Sequence, residues 1–323
     1  MTMKMNIKTC AALAAMGLAG IAFAGGEGWS SDFAAAKKEA VESKKDLLLD
    51  FTGSDWCGWC IKLNEEVFSK ESYKTGTKDK FVPVEVDFPK DKSKLKEETI
   101  KQNDELGKKY AIEGYPTILL TDAAGKPFAA TGYKEGGPEV YVKHLDELRA
   151  RKTVRDESFK TAEKAKGVEK AKALVAALNA MELNDTIVAN FYGDIVEQIK
   201  AADPKDETGF GKAAATKARI AKFQQDLSML AQKQDFDGAM VLVDKTLKDG
   251  GFPNDETQQL MATRGMIFAQ QKKFDEAIKA VDEAKAFAPE SEIAASLDGF
   301  KQRLEAGKQK AAGERKAEEP EAK

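Results

Sequence analysis

The stretch Leu47-Leu48-Leu49-Asp50-Phe51-Thr52-Gly53-Ser54-Asp55-Trp56-Cys57-Gly58-Trp59-Cys60 decides how this chain is read. A strand-length apolar run carries one carboxylate, turns at Gly53, and delivers a Cys-x-x-Cys pair to the opening of the helical pattern of Cys57 to Ser69. At the start of a helix this spacing puts one sulfur on the first exposed turn and the other one turn along, close enough to join as a reversible disulfide. Unpaired backbone N–H groups and the positive end of the helix dipole favour a negative sulfur there. Cys57 is therefore expected to ionise more readily than a free thiol of pKa ~8.5. Its thiolate would attack a substrate disulfide to form a mixed disulfide, and Cys60 would then attack that sulfur and release the reduced substrate. Run backwards, the same pair oxidises.

Other uses of two sulfurs are weighed against this one. Structural zinc wants four ligands, and beyond the pair the chain offers His144 and Cys10. No zinc or other metal site is expected, and no cofactor beyond a redox-active Cys57–Cys60 disulfide. Copper(I) accepts two thiolates, so copper handling stays as an alternative. His144, in the charged run Val142-Lys143-His144-Leu145-Asp146-Glu147, reads as a surface residue.

The 323 residues, 42% of them apolar, are enough for about two domains. A net charge of -3, with lysines interleaved among glutamates, gives no basic field, so nucleic acid is not expected as a partner. Lys4 and Lys8 precede an apolar run from Ala11 to Ala24 that ends Ala22-Phe23-Ala24 before Gly25, the layout of a cleavable secretory signal over 1–24. That run is short of the roughly 20 residues a membrane span needs. Export, into the periplasm if the source is a Gram-negative bacterium, would remove Cys10 with the signal and place the remaining pair where disulfides persist.

Between 27 and 152 short β-like runs alternate with helices. Lys37 to Lys45 reads as a helix, Leu47 to Thr52 as a buried strand, Phe81 to Asp87 as a strand weakened by Pro83, and Thr99 to Tyr110 as a helix. Ile118 to Thr121 and Phe128 to Thr131 flank a turn-rich connection and predict a hairpin, and Pro138 opens a last helix. This order predicts an α/β sandwich with one mixed sheet. From 153 to 306 the pattern is helical throughout. There, Ala231-Gln232-Lys233-Gln234-Asp235-Phe236 is echoed 38 residues later by Ala269-Gln270-Gln271-Lys272-Lys273-Phe274, with Ala239 and Val243 matched by Ala277 and Val281. The repeat resembles the tetratricopeptide type, with the extra residues assigned to the Gly250-Gly251-Phe252-Pro253-Asn254 turn. A fainter relative covers Gly167 to Lys205. The tail 307–323 has almost no large apolar side chains and is expected to be disordered.

Taken together, Asp50-Phe51, Trp56-Cys57-Gly58-Trp59-Cys60 and Gly114-Tyr115-Pro116-Thr117 resemble the thioredoxin superfamily, and most of all its exported bacterial members with a DWCGWC centre. Glu66-Val67-Phe68 and Val86-Asp87-Phe88-Pro89 extend the resemblance. It implies a thioredoxin-like sandwich ahead of an all-α helical-repeat domain, with Cys57 as nucleophile and Cys60 as resolving thiol. Asp50 matches the buried acid that shuttles a proton to the resolving thiol. Pro116 matches a cis-proline that frees the preceding backbone to pair with an extended substrate. Trp56, Gly58, Trp59 and Tyr115 then surround the bound substrate. The lysine that commonly accompanies the buried acid has no counterpart near Pro83, and Pro89 to Glu105 is an added charged stretch, read as a solvated helix or loop.

The function this predicts is reduction or isomerisation of disulfides in secreted client proteins, with electrons from a membrane donor. The alternative is an interaction scaffold, in which the helical repeats hold a peptide or protein partner and the redox half is secondary.

Overall fold

The computed structural model describes residues 28–318, with side chains through 313; the expected signal at 1–24 lies outside the described residues. The chain divides into two compact units, Met1–Thr208 and Gly209–Lys323.

The first unit begins with α1 (Phe33–Ser43), β1 (Asp46–Thr52) and α2 (Gly58–Leu63), which runs on as a π-helical turn through Phe68. Next come α3 (Glu71–Thr77), β2 (Phe81–Asp87), a short 3-10 turn at Lys92–Lys94, α4 (Glu97–Lys109), and the hairpin β3 (Thr117–Thr121) and β4 (Pro127–Thr131). The sheet order is β2-β1-β3-β4, with β1 parallel to β2 and antiparallel to β3. It is therefore a mixed sheet with β1 at its interior. All seven residues of β1 are buried, which is why this strand reads as an unbroken apolar run rather than an alternation. Leu47, Leu49 and Phe51 leave one face to pack with Val82, Val84 and Val86 against Phe33 and Ala36 of α1, Leu106 of α4 and Tyr110, which caps α4. Each such fully buried side chain contributes about 1.5–3 kcal/mol. Leu48, Asp50 and Thr52 leave the other face, by the two-residue period of a strand. Pro83 is tolerated because β2 is an edge strand, touched only by an isolated bridge from Ser30.

The break expected at 152/153 falls inside a continuous helix, α5 (Gly137–Lys164), and the first unit continues through α6 (Gly167–Met181) and α7 (Asp185–Ala202). The expected boundary thus lies within an element, and the first compact unit extends beyond it. Ala150-Arg151-Lys152-Thr153-Val154-Arg155 contains no helix breaker, so a shift in composition there does not end the element. Arg149 and Lys152 both pair with the buried Asp46 at the start of β1, at 3.0 and 2.5 Å. Ile187 joins the sheet core, Phe191 stacks on Tyr110, and the Tyr192 hydroxyl donates to the Pro127 carbonyl at 2.6 Å. Gly167 to Lys205, the faint repeat, thus belongs with the sheet.

The second unit contains α8 (Phe210–Gln232), α9 (Phe236–Asp249), α10 (Asn254–Gln270), α11 (Phe274–Phe287) and α12 (Glu292–Glu318). Its two helical hairpins share one turn geometry: Gln234 and Lys272, 38 residues apart like the sequence match, both adopt positive φ, 55° and 58°. Ala239, Val243, Ala277 and Val281 are all buried. A Cβ on Gly265 would lie 2.8 Å from Val281 Cγ2, so glycine lets α10 and α11 approach closely. Disorder over 307–323 is corrected in part, since α12 continues to Glu318. Alanine, lysine and glutamate have helix propensity enough to extend a packed helix without an apolar face.

Candidate redox site

The site is built where β1 stops. The Gly53 carbonyl accepts the Cys57 N–H at 2.9 Å, turning the chain into α2, and Cys57 is the residue that caps that helix. Its sulfur accepts the Cys60 N–H at 3.2 Å. The Cys57 thiolate thus has a backbone donor aimed at it as well as the positive end of a helical run that continues to Phe68. Cys57 and Cys60 are joined as a disulfide with their Cα atoms 5.2 Å apart. Both cysteines are less open than the sequence suggests, Cys57 6% and Cys60 5% exposed, while the neighbouring Trp56 and Trp59 are 40% and 56% exposed.

Three hydrogen-bonding side chains fix the turn before Cys57. The Ser54 N–H and hydroxyl donate to Asp87 at 2.9 and 2.6 Å, and the Trp56 indole N–H donates to the Phe88 carbonyl at 2.8 Å. Asp55 accepts from the Lys90 and Asp91 N–H groups and from the Lys94 ammonium. Those backbone donors, with Lys94, pull its carboxyl down to about 2. A Cβ on Gly53 would lie 2.5 Å from the Trp56 ring, so the turn requires glycine. The start of the added charged stretch is therefore tied to the redox turn, rather than being merely solvated.

Tyr115 and Pro116 are joined by a cis peptide bond. Tyr115 meets Trp56 edge-on with ring centroids 5.5 Å apart. On the other flank Trp59 packs on Tyr133 at 5.1 Å, and the Lys62 ammonium lies 5.3 and 4.9 Å from their rings. The Tyr133 hydroxyl donates to Glu66 at 2.6 Å. Gly58 is exposed, and a side chain there would meet open space. Of the residues expected around the substrate, Trp56 and Tyr115 are in contact on one flank and Trp59 meets Tyr133 and Lys62 on the other; Tyr133 and Lys62 were not among the expected residues, since they lie apart in sequence.

Behind the disulfide, Asp50 and Cys60 line one cavity of about 120 Å³ together with Trp29, Thr52 and Glu85. Asp50 is 7% exposed, and its Oδ1 has no hydrogen-bond partner. Burial, then the nearby Glu85 and Asp87, raise its carboxyl well above the usual range. Burial and Asp87 push Glu85 up to about 7. Across from Asp50 in the β1–β2 register stands Glu85, not a lysine, and Pro83 is two residues away. Glu85 was missed because a parallel register cannot be read from either strand alone. His144 is corrected: it is half-buried, its Nε2 lies 2.9 Å from the Thr131 hydroxyl, and burial lowers its pKa.

The matched region is similar in sequence to known proteins. The sequence pattern of the thioredoxin-like domain matches residues 33–149. "Disulfide bond reductase DsbH" of Chlamydia pneumoniae is 38% identical over 114 residues, which are 35% of this chain and 68% of that protein. "Thioredoxin-related protein DsbJ" of the same organism is 34% identical over 92 residues, 28% of this chain and 26% of that one. A solved structure titled "DsbH Oxidoreductase" is 34% identical, covering 37% of this chain and 81% of its own at a TM-score of 0.35. With a mixed sheet, a capping cysteine and a joined Cys57–Cys60 pair in the matched region, the chain belongs to the thioredoxin-like family of thiol-disulfide oxidoreductases.

Proposed function

We propose that this chain is an exported reductase of disulfides in client proteins, with Cys57 as nucleophile, Cys60 as resolving thiol and Asp50 as its proton acceptor. The observation that carries this reading is Cys60 lying over the same cavity as a buried carboxyl with a free oxygen. In the dithiol state the Cys57 thiolate attacks one sulfur of a client disulfide, and the other leaves as a thiolate. Cys60 then gives its proton to Asp50 and attacks the Cys57 sulfur. The second client sulfur leaves, and two electrons have moved to the client as Cys57–Cys60 closes. A dithiol donor at the membrane restores the pair. The word reductase in the name of a relative 38% identical supports this direction over oxidation.

Trp56 and Trp59 offer the client an exposed aromatic rim with the half-buried Tyr115 packed against Trp56, the Gly58 backbone lies open beside it, and Pro116 presents the backbone before β3. The hairpins of 209–313, tetratricopeptide-like in their repeated turn, serve to hold a peptide or protein partner. Export rests on the layout of 1–24; among the described residues no helix is long and apolar enough to cross a membrane.

The test is a Cys60→Ser chain expressed with its clients. It should accumulate mixed disulfides on Cys57 that dissolve on reduction, and a folded variant that traps nothing would rule the exchange out. A couple potential near ~-270 mV would fit a reductase, and one near ~-120 mV would overturn the direction.

A further inference from the structure

The cavity under Cys60 holds a second carboxyl that the exchange just described does not use. Asp50 and Glu85 are register partners in the parallel β1–β2 pair, so their side chains leave the sheet on the same face, and both line the cavity. Asp87 follows on that face of β2, with its two oxygens engaged by Ser54. Glu65, from the π-helical turn, is also in the lining. From α3 and α5, Tyr73 and Tyr141 lie close enough to feel the Asp50 charge, and β3 sets the apolar Ile118 opposite Asp50. Among the described residues lining the cavity none is a lysine or arginine. Two carboxyls on adjacent strands, with no cation between them and one oxygen unpartnered, cannot both ionise without a large penalty. A cavity of about 120 Å³ has room for a few waters, at roughly 30 Å³ each, to carry a proton away.

We propose that Glu85 is a positioning residue of the redox centre, sharing one proton with Asp50 across the β1–β2 pair and so setting the pH at which Asp50 takes the Cys60 proton. As Cys60 attacks, its S–H bond breaks and an O–H bond forms on Asp50, while the pair releases one proton from Glu85 to cavity water. No electron passes through the carboxyls. This inference rests on Asp50 being the proton acceptor.

The experiment uses the full chain carrying Glu85→Gln or Glu85→Asp. Two quantities are followed against pH: the Asp50 carboxyl carbon by NMR in the oxidised state, and the rate at which Cys60 releases a small aromatic thiol from a mixed disulfide on Cys57. Glu85→Gln should lower both midpoints by about one pH unit or more, and Glu85→Asp should return them towards the parent. Unmoved midpoints in folded Glu85→Gln would overturn the coupling while leaving Asp50's role intact. Should that variant not fold, Asp50→Asn supplies the reciprocal reading: the Glu85 midpoint should move down although burial and Asp87 still hold it above the ordinary carboxylate range, and an unmoved Glu85 overturns the proposal. If Asp50→Asn leaves the release rate and its pH profile untouched, the proton acceptor itself is wrong, and the coupling falls with it.

Discussion

In the first unit Asp46, Asp50, Asp87, Arg155 and Asp203 are all at most 7% exposed, whereas the buried polar side chains described in the second are Gln258 and Thr263, which carry no charge. The difference is one of purpose as well as chemistry. Burying an ion is costly unless partners compensate, and four of the five have them. Asp46 meets Arg149 and Lys152, Asp87 meets Ser54, Arg155 meets Asp156 and the Tyr192 hydroxyl, and Asp203 accepts two backbone N–H groups. Of these five, Asp50 alone keeps an oxygen without a partner, and it lines the same cavity as Cys60. The second unit shows how the same chain behaves with no such demand. Its ion pairs, such as Lys222–Asp226 and Lys301–Asp282, lie at the surface, and its interior is apolar, with Ala277, Val281, Leu297 and Leu304 in one cluster and Phe223, Val243, Leu260 and Ile267 in another.

Breaking the exception should have the largest effect. On the proposed role of Asp50 as proton acceptor, Asp50→Asn keeps the shape and should slow the resolving step by about a hundredfold or more, read as accumulation of the mixed disulfide in rapid-quench kinetics. The same buried acids should make stability depend on pH. Glu85 rises from an ordinary 4.5 to about 7 on folding. Between those values the folded state holds more protons than the unfolded one, so stability falls as pH rises and the loss is complete above about 7. At about 1.4 kcal/mol per unit the Glu85 contribution is on the order of 3 kcal/mol, and Asp50 acts in the same direction. Urea unfolding at pH 5 and pH 8 should show this slope, and Glu85→Gln should flatten it.

In the second unit the sensitivity should be to volume. Gly265→Val drives a side chain into Val281 and the Ala277 carbonyl, and should cost about 1–3 kcal/mol in the helical unit while leaving disulfide exchange at Cys57 unchanged. Calorimetry alongside a reductase assay separates the two. The smallest effect belongs to the exposed Lys222–Asp226 pair, 2.9 Å apart. Lys222→Ala should change stability by about 0.5 kcal/mol or less.

What could be read in advance divides along the same line. The strands, the helix opening at Cys57 and the 38-residue repeat were legible, because local periodicity and sequence self-similarity show them over a few residues. Segments missed include α3, whose seven residues are too few for a periodic signal, and the continuity of α5, where a change in composition was mistaken for an end. Of the redox site, the sulfurs, the tryptophans, Asp50 and Pro116 lie in short motifs. Glu85, Tyr133 and the Asp55 clamp on 90–94 do not.

The amino-acid order by itself determined that two sulfurs meet at a helix start, and that one acid sits in an otherwise apolar strand. Folding in three dimensions decided what faces that acid. Strand register is set by packing of both sheet faces at once, so only the assembled sheet could put Glu85 rather than a cation beside Asp50. Likewise, only the closing of distant segments over the turn could seat Asp55 on the backbone of Lys90 and Asp91.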